Sequence, residues 1–140
     1  MKLEFLIAIL CIVVLHSCNE RKVPNTDIDV ARAFIIDILQ NNFTEAEKFV
    51  LKEDTSNPKE DANKQYFDLF KKDYESKSKE ELENYSNADI IINEISAVND
   101  SVSIVNYSNS FRRDKSSKVK MVRKNGRWLV DLKYTFSGNL

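Results

Sequence analysis

The sequence predicts an α+β domain in which N-terminal helices pack on the concave face of a curved antiparallel sheet of about four strands. Three observations lead there. Apolar residues of the first half recur at helical spacing behind capping residues. In the second half the pattern changes to β-branched runs broken by Asn-Asp and Asn-Gly pairs. The stretch that follows the N-terminal apolar run is about 120 residues long, enough for one core and too short for two.

The first element is an export signal. Lys2 and Glu4 precede an unbroken apolar run from Phe5 to Leu15, followed by Leu15-His16-Ser17-Cys18. A spanning helix needs about 20 apolar residues, so this shorter run fits the h-region of a signal peptide. Leu15 at −3, Ser17 at −1 and Cys18 at +1 resemble the lipobox of bacterial lipoproteins, although His16 at −2 departs from the small or apolar residue preferred there. The alternative is an ordinary secretory signal. The resemblance implies a signal peptide over 1–17, diacylglycerol on the Cys18 thiol and a polar tether over 18–26. A folded domain is expected over 27–136, with a short tail over 137–140. Two or three acyl chains would make the anchor effectively permanent. Asn19 at +2 lacks the Asp associated with inner-membrane retention, so the outer membrane is the expected location.

Helices follow in order. Thr26 or Asp27 caps a helix with Ile28, Ala31, Phe34, Ile35 and Ile38 on one face, and Asn41-Asn42 ends it. Thr44 with Glu47 reads as a capping box for a short helix carrying Ala46, Phe49 and Val50. Asn57-Pro58 with Glu60 reads as the start of a third helix, running to about Tyr74, with Ala62, Tyr66, Leu69 and Phe70 as its buried stripe. Ser78 with Glu81 caps one or two further turns that pack Leu82 and Tyr85.

Strands complete the domain. Ile90, Ile91, Ile92 and Ile95 form a β-branched run ending at Asn99-Asp100, and Val102, Ile104 and Val105 resume it as a hairpin. After a polar loop from Arg112 to Ser117, a second hairpin spans Lys118 to Lys133 around Asn125-Gly126, the preferred type I′ pair. A two-residue turn fixes the register. Arg123 is expected opposite Trp128, Met121 opposite Val130 and Val119 opposite Leu132. The other face then carries Lys118, Lys120, Lys124, Arg127 and Lys133, with Asp131 ion-paired across the strands to Lys120 and Val122 beside Leu129 as apolar exceptions.

Two stretches resemble the small nuclear transport factor 2-like domains built on a cystatin-like cone. One runs from Val30-Ala31-Arg32-Ala33-Phe34 through Asn42-Phe43-Thr44-Glu45-Ala46; the other is the closing Asn125-Gly126-Arg127-Trp128 hairpin. Both report packing rather than chemistry. That superfamily holds enzymes, binding modules and scaffolds, so the fold alone selects no function. Active members place polar groups inside the cone. Here the residues expected inside are Phe34, Ile38, Tyr66, Phe70, Met121, Trp128 and Val130, with Tyr134 as a further candidate, and there is no Asp-His pair.

Composition narrows the function classes. The formal net charge of −1 argues against nucleic acid as a partner. With only Gly126 and Gly138, neither a P-loop nor a dinucleotide fingerprint can be built. His16 and Cys11 leave with the signal peptide and Cys18 is acylated, so the exported domain is expected to have no imidazole or thiol for a metal, a cofactor or nucleophilic catalysis. Asp27 and Asp29 are read as helix-start residues, not cation ligands.

The leading expectation is therefore a non-enzymatic envelope module for a protein or a small apolar ligand. Tyr66, Phe67, Phe70, Tyr74, Tyr107, Trp128 and Tyr134 are the aromatics available either to line a pocket or to fill a core. Lys118, Lys120, Lys124, Arg127 and Lys133 form a basic face that either meets an anionic partner or keeps the sheet solvated. Two alternatives remain: an enzyme of the same fold using carboxylate and Tyr proton transfer, and a structural domain that self-associates as a homodimer through its sheet.

Overall fold

The computed structural model describes residues 23–136; the expected signal peptide over 1–17, Cys18 and the 137–140 tail lie outside the described residues. The order is helices first, then a four-stranded antiparallel sheet, as the sequence predicts. No helix among the described residues is long and apolar enough to cross a membrane.

Helix α1 spans Asp27–Leu39. The Thr26 hydroxyl accepts from the backbone N–H of Asp29 at 3.1 Å, and Asp27 and Asp29 place negative charge at the positive end of the helix dipole. Its apolar side, Val30, Ala31, Phe34 and Ile35, is buried. Two long-range bonds fix its orientation on the sheet. The Ser103 hydroxyl donates to the Asp27 carboxylate at 2.6 Å, and the Arg32 guanidinium donates to the carbonyl of Ile90 at 2.9 Å. Asn41, at φ 63°, reverses the chain behind the helix.

The next helix departs from expectation. Helix α2 spans Phe43–Ala46 behind Asn42, which makes no side-chain cap bond, so the Thr44-Glu47 capping box does not form. The cause is Phe43. Its ring is buried edge-on against Phe67, at 5.9 Å between centroids, and Tyr74, at 5.4 Å. Such pairs add about 0.5–1.5 kcal/mol each beyond area burial. Helical geometry therefore begins two residues early, at Phe43 rather than Glu45, and leaves Thr44 inside it. A 3₁₀ turn over Glu47–Phe49 then leads Val50 into a parallel bridge with Val130, where the Leu51 N–H donates to the Val130 carbonyl at 2.9 Å.

The expected third helix is divided in two. A 3₁₀ turn covers Pro58–Glu60, and helix α3 spans Ala62–Glu75. Asp61 separates them because its carboxylate is engaged on both sides, accepting from Lys64 N–H at 3.2 Å and from Glu53 N–H at 3.3 Å. The buried positions are Asn63, Phe67 and Tyr74, whereas Leu69, expected in the stripe, is 52% exposed. Tyr66 and Phe70 pack on the core margin. Helix α4, Lys79–Ser86, has the Ser78-Glu81 capping box that the sequence predicts.

Strands β1 (Ile90–Asn99), β2 (Val102–Asn109), β3 (Ser117–Lys124) and β4 (Arg127–Asp131) lie side by side in chain order. In the second hairpin Arg123 pairs with Trp128, Met121 with Val130 and Lys120 with Asp131, the register set by the Asn125-Gly126 turn. The strand stops earlier than expected. Asp131 accepts from the N–H of Tyr134 at 3.4 Å, and Leu132 opens a short helix α5, Leu132–Phe136, instead of pairing with Val119. Lys133 therefore leaves the strand face. Val119 and Leu132 are still both in the core, with Val105, Met121 and Val130 on the same inner face beneath Phe34. Each such fully buried side chain contributes about 1.5–3 kcal/mol relative to exposure.

Candidate functional site

Where α1, α3 and α4 meet the far end of β2 the packing leaves a cavity of about 250 Å³. Its wall is apolar and aromatic. Phe34 and Ile38 come from α1 and Phe70 and Tyr74 from α3, each pair one helical turn apart and so directed to the same side. Tyr85 of α4 and Tyr107 of β2 close the remaining sides. The Tyr74 hydroxyl donates to the Leu39 carbonyl at 3.3 Å, which holds the ring in place, and burial pushes its pKa up. The enclosed hydroxyl of Tyr107 is also shifted up by burial, with the Ser117 hydroxyl acting in the opposite direction. Both phenols are thus neutral at physiological pH.

The mouth is polar. Lys77 is paired with Asp73 at 2.5 Å and lies over the Tyr85 ring at 6.0 Å. On the opposite side the β2–β3 loop brings in Arg112, Lys115 and Ser117. Asn109 builds that loop: its side chain and its backbone carbonyl both accept from Arg112 N–H, at 2.8 and 3.2 Å. The Lys115 N–H then closes onto the Arg112 carbonyl at 3.1 Å.

Of the seven residues expected to line a pocket, Phe34, Ile38 and Phe70 do so. Met121 and Val130 have no exposed surface and fill the core, and Tyr66 and Trp128 are half-buried at its margin, away from the cavity wall. Tyr134 lies beneath Lys120, whose ammonium is 4.7 Å from the ring centroid. Tyr74 and Tyr107 belong to the aromatics singled out above; Tyr85, Lys77, Arg112 and Lys115 were not foreseen as site residues. The one available signal was the basic loop Arg112-Arg113-Asp114-Lys115 at the end of a strand.

The basic face is largely neutralised. Lys120 pairs with Asp131 at 3.1 Å as expected, Lys124 with Asp54 at 3.1 Å, and Lys133 with Glu53 at 3.0 Å, which raises the Lys133 pKa. Lys118 and Arg127 are exposed. A second cavity, of about 290 Å³, is walled in part by Glu47, Glu53, Asp61 and Lys64. Lys64 is bonded to Asp68 and lies 3.7 Å from Glu47, and both interactions raise its pKa. No group of three or more His, Cys, Asp or Glu among the described residues is placed to hold a metal ion.

Comparison with known protein families, curated proteins and solved structures gives no match.

Proposed function

We propose that this chain is a lipid-anchored envelope protein whose domain is a non-enzymatic binding module, taking a small apolar ligand into the cavity between its helices and sheet. The observation that carries the reading is the aromatic cavity itself. Ligand sites are concave and mostly apolar, with a few polar groups that set orientation. The wall of Phe34, Ile38, Phe70 and Tyr74 with a polar mouth has that composition. The order of helices and strands is in keeping with a nuclear transport factor 2-like cone, and the lipobox at Cys18 supports attachment to a membrane, with Asn19 favouring the outer one.

Proton transfer by a carboxylate and Tyr has less support. A catalytic acid needs a tuned environment, whereas Asp73, the carboxylate on this cavity, has a side chain 68% exposed and is bonded to Lys77. Self-association through Val122 and Leu129 also has less support, because both are half-buried in the sheet.

The test has two parts. Metabolic labelling with a radioactive fatty acid should mark the protein, and Cys18→Ala should abolish the label. Native purification from envelope extract, followed by mass spectrometry, should recover a small apolar molecule that is lost when Ile38→Trp fills the cavity. Recovery of nothing above the level of that variant would remove the binding reading.

A further inference from the structure

The charges at the cavity mouth are not equally engaged. Lys77 is committed to Asp73 at 2.5 Å. Arg112 has Asp114 near its Nε only at 3.8 Å, an ion pair too long to be a hydrogen bond. Among the described residues Lys115 has no ion pair, and Arg112 has no other carboxylate within ion-pair reach. The Arg112 side chain is nevertheless only 31% exposed. A guanidinium held at the edge of an apolar cavity is partly desolvated, which strengthens its attraction for an anion, and its planar fork matches a carboxylate.

The wall behind it limits size. At about 30 Å³ for each water-sized group, a cavity of this volume takes roughly eight heavy atoms. Phe34, Ile38, Phe70 and Tyr74 give the cavity an apolar surface, which favours an apolar body in the occupant. An apolar body and a single anionic head are thus specified by the two ends of one cavity. Resting on the binding reading above, we propose that the cavity selects a small amphipathic monoanion, with its apolar body between α1 and α3 and its carboxylate held at the mouth by Arg112 and Lys115. The bonds from the Arg112 N–H to the side chain and carbonyl of Asn109 fix the loop before the ligand arrives, which lowers the ordering cost of binding.

Calorimetric titration of the full acylated protein in phospholipid nanodiscs, with empty nanodiscs as the blank, tests this. Octanoate supplies the complete ligand chemistry, 1-octanol the body without the charge, and acetate the charge without the body. Octanoate should bind at least about tenfold more tightly than 1-octanol, and acetate should give no heat. Arg112→Gln with Lys115→Gln should remove that preference while leaving the thermal unfolding midpoint unchanged. Equal affinity for octanoate and 1-octanol, or an unchanged preference in the double variant, overturns the anion proposal and leaves the apolar binding module standing. If neither octanoate nor 1-octanol binds, both readings are overturned.

Discussion

Asn63 shows how one buried polar side chain joins distant parts of the chain. It is 1% exposed, and its side-chain oxygen accepts from Lys133 N–H at 2.9 Å, so α3 secures the start of α5. Asn63→Ala removes the acceptor and leaves that N–H without it. A buried donor left unsatisfied costs about 1–3 kcal/mol, and the urea midpoint should fall accordingly; an unchanged midpoint would mean that water replaces the amide. Tyr107 carries a different consequence. Burial raises its pKa above the ordinary 10.0, so the folded state retains the phenolic proton after the unfolded chain has lost it. The associated stability is fully present below about pH 10 and is lost as pH rises through the folded pKa. Tyr74 has the same sign, as do Lys64 and Lys133 about their ordinary 10.5. Tyr107→Phe should therefore make the loss of stability above about pH 10 shallower than in the parent, measured by urea unfolding at each pH. A curve parallel to the parent's would show that the Tyr107 hydroxyl is solvated.

At the scale of the element, local chemistry was legible wherever one short-range interaction decides the outcome. Asn125 at φ 52° and Gly126 at φ 77° adopt the left-handed turn that their dipeptide predicts. A Cβ on Gly126 would meet no atom within 4 Å, so Gly126→Ala should cost only the left-handed backbone penalty, about 1–2 kcal/mol. The hairpin register should survive; chemical shifts displaced throughout β3 and β4 would instead indicate a register change. The Ser78-Glu81 box was equally legible because both partners lie within four residues. The misreadings share a cause: a tertiary contact overrode a local signal. Burial of Phe43 against α3 moved the start of α2 away from Thr44. Asp61 bonded to Glu53 as well as to Lys64 and divided the expected third helix. Asp131 and Asn63 together turned Leu132 and Lys133 out of β4 into α5. Periodicity found Phe34, Ile38 and Phe70 because a helical stripe marks an inward face, but the mouth was not legible. Arg112 and Lys115 reach the cavity through the path of a loop, which residue spacing does not encode.

For the molecule as a whole, the two edges of the sheet are treated differently. The β4 edge is covered where Val50 and Leu51 pair with Val130. The β1 edge is met near its start by Arg32 on the Ile90 carbonyl, while residues 93–99 are all exposed. Edges are commonly protected by Lys, which β1 lacks; Glu94 is its one charge. What it has instead are register shifts between Ile92 and Glu94 and between Ala97 and Asn99, and such irregularities twist an edge away from a flat partner. This protection depends on the native bends. During partial unfolding, a low-charge strand with Ile95 41% and Val98 63% exposed becomes a template for pairing with another chain. Val98→Lys places a charge on that strand without removing a core contact, so the urea midpoint should stay within about 0.5 kcal/mol of the parent. Light scattering on heating should begin at a higher temperature than in the parent, even with unfolding at the same midpoint. If scattering begins at the same temperature in both, aggregation starts elsewhere, and the bends in β1 have no protective role to lose.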